Sequence, residues 1–204
     1  MGPSVYLVCR IGALRVVLES IPMNMSAALA LSAFLFFGSS PDKPHLSELQ
    51  IALEGRGLTV SVQLVNGFSD QLLAEIQTGL ASGFTYQFVL SRDQPLWFEN
   101  KLDKSRLEVT AMYNAVTREY LINFKQDGKL IDSRIARSRE ELEREMTQIS
   151  NLKVFQLEST NPNRWLVVRA RADLGSKTTL LIIPSRIRTD WVRSRKFYPP
   201  SNTP

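Results

Sequence analysis

Histidine and cysteine are almost missing from this chain: one of each stands among 204 residues. The cysteine, Cys9, lies close to the first residue, so everything beyond it lacks a thiol. That excludes a disulfide scaffold, a cysteine-ligated zinc site and a thiolate nucleophile from the rest of the chain. The single histidine, His45, sits beside Pro44 with no further ligand type nearby, and a Ser-His-Asp triad would have to rest on it. Glycine-rich phosphate loops and the G-x-S-x-G nucleophile elbow are also missing. No metal ligand set, no cofactor and no catalytic residue is therefore expected. The core must close by apolar packing alone, which a domain of about 150 residues can do.

A short apolar run is present instead. Ala27–Phe37 is interrupted only by Ser32 and is followed by Gly38-Ser-Ser40 and Pro41-Asp-Lys-Pro44. It is far shorter than the roughly 20 residues that span a bilayer, and it fits the apolar core of an export signal. Arg10 and Arg15 supply the positive flank upstream, with Glu19 as the only acid. Gly38 and Ser40 satisfy the small-residue rule for a cut after Ser40, whereas Pro41 would hinder that cut. The expectation is a periplasmic protein, either cleaved or still tethered to the inner membrane by this segment. Met23 and Met25 offer alternative starts, which would make residues 1–22 a mis-assigned extension. The expected organisation is a signal or anchor over 1–40, a linker over 41–47, one β-rich domain over 48–198 and a disordered tail over 199–204.

Charge is unevenly placed. From Arg164 onward nine basic residues face two acids, while residues 41–163 carry fourteen basic and seventeen acidic residues. A basic C-terminal fifth suits an anionic partner, whether a polyanion, a membrane surface or an acidic protein face.

Hydropathy alternates at period two in most of the folded part. Leu49, Ile51 and Leu53 precede a turn at Gly55-Arg-Gly57. Leu58, Val60, Val62 and Leu64 follow it, reading as a hairpin of half-buried strands. Ser69 caps an expected helix through Leu80 with Leu72, Leu73, Ile76 and Leu80 as its apolar stripe, ended by Gly83. Phe84 to Leu90, Leu107 to Tyr113, Tyr120 to Phe124 and Ile131 to Ile135 read as further strands, the last three joined as a meander through Asp127-Gly128. Ser138-Arg-Glu-Glu141 is a capping box, with Leu142, Met146 and Ile149 as the buried stripe and Glu140 and Arg144 paired on the wet side. Asn161-Pro-Asn163 is a turn. Leu166 to Leu174 alternate as a strand, and after Gly175 a short run from Leu180 ends at Pro184. Seven or eight strands and two short helices define a mainly β (α+β) antiparallel domain, a sandwich or a strongly bent sheet.

Two surfaces carry the candidate chemistry. Trp165, Val167, Arg169 and Arg171 project together from one strand if Leu166, Val168 and Ala170 face the core. An indole beside two guanidiniums suits a phosphate, a carboxylate or an acidic partner, although cross-strand pairing on a wet face uses the same residues. Asp190-Trp191, followed by Arg193, Arg195 and Lys196, extends that basic end and suits anionic lipid headgroups. Nucleic acid is not expected as a partner of an exported chain. The second surface is the connection from Pro95 to Lys104, where Trp97, Glu99 and Lys101 cluster. Asp93, Glu99 and Asp103 there could act as an acid/base pair on an envelope polymer. Solvated ion pairing with Lys101 and Lys104 is the plainer use of those acids.

Four patches are more specific: Pro95-Leu-Trp-Phe-Glu-Asn-Lys-Leu102, Tyr113-Asn-Ala-Val-Thr-Arg-Glu-Tyr120, Arg169-Ala-Arg171 and Thr189-Asp-Trp191. On these the stretch from about Leu49 to Tyr198 resembles a bacterial family known as domain of unknown function 4390. The family pattern has a further aromatic soon after the last Asp-Trp, whereas Val192-Arg-Ser-Arg-Lys196 intervenes here before Phe197-Tyr198. The resemblance implies a secreted or membrane-tethered envelope protein of Gram-negative bacteria, often encoded beside a nitrogen-regulation-type sensor histidine kinase. It implies no activity and transfers no catalytic residue. The expected function is a non-enzymatic periplasmic interaction module, an accessory to a membrane protein such as a sensor kinase. The alternatives are a small-ligand or lipid-binding sandwich and a hydrolase of an envelope polymer.

Overall fold

A computed structural model of the chain describes residues 43–93, 100–157, 164–179 and 183–199. The chain divides after Pro41 into two units, and every described residue belongs to the second. The apolar run Ala27–Phe37, the cut after Ser40 and the turn at Asn161-Pro-Asn163 lie outside the described residues. Among those described, no helix is long and apolar enough to cross a membrane.

The elements are β1 (His45–Leu46), β2 (Gln50–Glu54), β3 (Gly57–Val65), α1 (Asp70–Gln77), β4 (Ser82–Arg92), β5 (Lys101–Asn114), β6 (Glu119–Gln126), β7 (Lys129–Ala136), α2 (Arg139–Thr147), β8 (Gln148–Gln156), β9 (Leu166–Thr179), β10 (Ile183–Arg188) and β11 (Val192–Arg193). Among the described residues they form two open antiparallel sheets with two helices, a mainly β fold, as the periodicity indicates. In the four-stranded sheet β3 is central. β1 and β2 run successively along it from His45–Val65 to Glu54–Gly57, and β8 also pairs with it. The seven-stranded sheet has the order β10-β9-β4-β5-β6-β7, with β11 also on β9.

Burial follows the alternation. Leu58, Val60, Val62 and Leu64 of β3, Phe84 to Leu90 of β4, Leu107 to Ala111 of β5 and Leu166 to Ala172 of β9 alternate into one core. Tyr86 is fully buried, and its hydroxyl donates to the Met146 carbonyl at 3.0 Å, tying the large sheet to α2. Burial raises its phenol pKa far above the ordinary value. An open cleft of about 230 Å³ remains beside β7 and β8, floored by Leu107, Phe124, Ile149 and Leu152.

The helix signals hold with shifted ends. Ser69 caps α1 by accepting the Leu72 N–H at 3.2 Å, but the helix stops at Gln77 rather than Leu80. Gly79, at φ 86°, takes the left-handed position that ends it, and Leu80 is exposed outside the stripe. Gly83 lies inside β4, where a side chain would collide with the Val109 carbonyl of β5. Ser138 caps α2 through the Glu141 N–H at 3.1 Å, and the Glu141 carboxylate reaches back to the Arg137 N–H at 2.8 Å. The reciprocal bond thus falls one residue earlier than the box predicts. Arg144 lies 3.7 Å from Glu145.

Three strands exceed the seven or eight expected. β1 includes His45 of the segment read as a linker, β11 is a second piece of the edge strand begun by β10, and β8 follows α2 without a loop. Ile149, expected on the helix, is therefore a strand residue. β9 continues through Gly175, and Pro184 lies inside β10 rather than ending a strand. Pro199 is buried, at the start of the stretch expected as a tail. Lys101 and Asp103, expected in a connection, begin β5 and are exposed.

Candidate functional site

β9 positions the two arginines. Its register with β4 sets Arg171 opposite Gln87 and Arg169 opposite Val89, while Val168, Ala170 and Ala172 face the core. Arg169 and Arg171 are thus on the opposite face, half-buried, as the alternation predicts. The Arg171 Nε and Nη2 donate to the Gln87 Oε1 at 2.9 and 2.8 Å, which fixes the guanidinium against β4. Val167 departs from the expectation of a wet face: it is 3% exposed and pairs with Ser91, which is equally buried.

Trp191 reaches these arginines because the edge strand breaks. The Thr189 N–H donates to the Ala172 carbonyl at 2.9 Å, and its hydroxyl accepts the Ala172 N–H at 2.9 Å. Ser194 repeats the arrangement on Val168, at 2.9 Å and 3.0 Å. Two buried hydroxyls stand in for ladder carbonyls, and the residues between them are released from the pleat. The indole of Trp191 lies against both guanidiniums, its centroid 4.5 Å from the Arg171 Cζ and 5.3 Å from that of Arg169. Beside β9's first residue, Trp165 stacks on Tyr198 with centroids 3.7 Å apart and a 31° tilt. All three aromatics stay open to solvent: Trp191 at 39%, Trp165 at 42% and Tyr198 at 46%.

The remaining charges divide between pinning and exposure. Arg193 and Lys196 both close on the Asp93 carboxylate, whose backbone N–H donates to the Trp165 carbonyl at 2.9 Å. The Lys196 hydrogen bond, with that of Arg193, holds the Asp93 carboxyl below its ordinary range against an opposing desolvation. An acid so held is deprotonated at neutral pH and cannot serve there as a general acid. Arg195 lies 3.7 Å from Glu48, Arg188 lies 2.9 Å from Asp173, and Asp190 is exposed.

The structure therefore brings Trp191 together with Arg169 and Arg171, turns Arg193 and Arg195 toward acids, and sets Trp165 on Tyr198. Trp97 and Glu99 lie outside the described residues. Sequence reasoning missed Gln87, Tyr198 and the two hydroxyl caps. Alternation does place Gln87 outward on its strand, but only the pairing of β4 with β9 makes it a partner of Arg171. Among the described residues no group of three His, Cys, Asp or Glu could hold a metal ion.

Fold and surface define a small two-sheet antiparallel β domain with an exposed aromatic–arginine face. The chain belongs to the family described as Domain of unknown function (DUF4390), whose model matches residues 42–192. Two patches of the resemblance, Arg169-Ala-Arg171 and Thr189-Asp-Trp191, meet in space at the indole stack. Neither curated proteins nor solved structures give a match.

Proposed function

We propose that this domain is a non-enzymatic interaction module of the bacterial envelope, docking an acidic face of a membrane protein on the Trp191–Arg169–Arg171 surface. The observation that carries the reading is the indole held against two guanidiniums while still exposed. Tryptophan, tyrosine and arginine are the side chains that dominate interface energetics, because each offers a large rigid surface with polar reach. The guanidiniums of Arg169 and Arg171 beside Trp191 supply the sign of the partner. A core filled by Tyr86, Phe88, Leu58 and Ile122 favours this surface over an internal ligand site. A sensor histidine kinase is the partner class suggested by the resemblance, and the apolar run Ala27–Phe37 is the feature that supports export.

The test is copurification from detergent-solubilised envelopes of the full chain and of its R169E/R171E variant, with circular dichroism checking the fold. The expected result is a membrane protein on the wild type, depleted at least about tenfold on the variant, the scale of one lost charge-assisted contact. Equal recovery on both would overturn the reading. Binding to phosphatidylglycerol vesicles with no protein recovered would replace the protein partner with a lipid surface.

A further inference from the structure

The far edge of the large sheet carries a second recognition feature, independent of the arginine face. Among the described strands β7 is the terminal one beyond β6, and all its residues except Ala136 are exposed. Ile131 is 48% exposed and Ile135 is 53% exposed. Ile135 pairs with Leu121, which pairs with Met112, so an apolar row crosses three strands and ends at the edge. The Ser133 N–H donates to the Asp132 side chain at 2.8 Å, which shows that this backbone group turns outward rather than toward β6. Edges of this kind are templates for another strand.

The order of residues along this edge is self-complementary. Ile131-Asp-Ser-Arg-Ile135, read against a second copy running antiparallel with Ser133 on the two-fold axis, sets Asp132 opposite Arg134 and Ile131 opposite Ile135. On pairing, the Ser133 N–H would pass from the Asp132 carboxylate to the Ser133 carbonyl of the second copy, closing a hydrogen-bonded pair and releasing Asp132. Asp132 and Arg134 share a face, since Arg134 Nε lies 2.8 Å from the Asp132 carboxylate. Across the axis the same groups would form two further opposite-charge cross-strand pairs. A bulge at Ile131 interrupts the ladder to β6 at one end of the matched stretch.

The geometry points to an antiparallel β7–β7 homodimer, in which a second copy of this chain extends the large sheet with Ser133 at its centre. The decisive experiment uses the full chain in mild detergent, followed by light scattering after size exclusion at high micromolar concentration. Wild type is expected to dimerise in a concentration-dependent way. D132R and R134D each set like charges across the axis and are expected to be monomeric. An equimolar mixture of the two variants restores opposite charge at both junctions and is expected to form a heterodimer. Thermal unfolding of each variant checks its fold. A second measurement, S133C in a C9S background, should give a disulfide-linked dimer under mild oxidation, while L121C on the same background should not. A monomeric wild type, or folded D132R and R134D that fail to complement each other, would overturn the proposal.

Discussion

Trp191 owes its place to single atoms: the Gln87 Oε1 that fixes Arg171 and the Thr189 hydroxyl that takes up the Ala172 N–H. Removing the Gln87 carbonyl by Q87A should leave Arg171 free to swing. The fluorescence of the full chain would then change through Trp191, and W191F would abolish that difference. Tyr86 gives a stability prediction of known size. Y86F removes the donor to the buried Met146 carbonyl and should cost about 1–3 kcal/mol in urea unfolding, the range for a buried hydrogen bond with one partner deleted. Asp93 predicts a pH dependence. Its carboxyl is held low by Lys196 and Arg193, so its stabilising contribution is intact above the ordinary aspartate pKa. That contribution is lost as pH falls through the lowered value. Tryptophan emission in wild type should therefore respond to acidification in the acid range, and D93N should lack that step.

Elements differ in how plainly their sequences announce them. Ser69 and Ser138 mark the two helix starts because a hydroxyl before the first turn meets an orphan amide whatever surrounds it. β8 was not legible. Its ladder to β3 shifts register twice, and Val154 and Phe155 are adjacent yet both buried, so period two is lost. β7 is legible as a strand, but its isoleucines mislead as to burial: its exposed side chains belong to an edge, and period alone does not distinguish an edge from a centre. The edge made of β10 and β11 depends on Thr189 and Ser194. T189V and S194A should each leave a buried β9 amide without its acceptor, at a cost of about 1–3 kcal/mol. Hydrogen exchange should then quicken at Ala172 or Val168, respectively, more than elsewhere in β9.

At the scale of the whole molecule, the sequence contains the mainly β class, both helices and the membership of Arg169 and Arg171 in one outward face. It does not contain the strand order. Nothing local indicates that β9 lies between β4 and the broken edge strand, and that order alone brings Gln87, Arg171 and Trp191 together. The charge asymmetry is legible as a surplus, but its use is not: Arg193, Lys196, Arg188 and Arg195 are spent on acids, two of which, Asp93 and Glu48, are distant in sequence. The export expectation is checked by fractionation with N-terminal sequencing, which should place the chain in the envelope of a Gram-negative host; recovery in the cytosol would refute it. The docking surface itself is tested most directly by a photo-crosslinking residue in living cells, placed at Trp165, one residue before the strand that carries both arginines, or, as a control, at exposed Leu121 on the same sheet. A discrete envelope-protein adduct is expected from position 165, removed by R169E/R171E, and no such adduct from position 121. An adduct of equal yield from both positions, or one from position 165 indifferent to R169E/R171E, would contradict it.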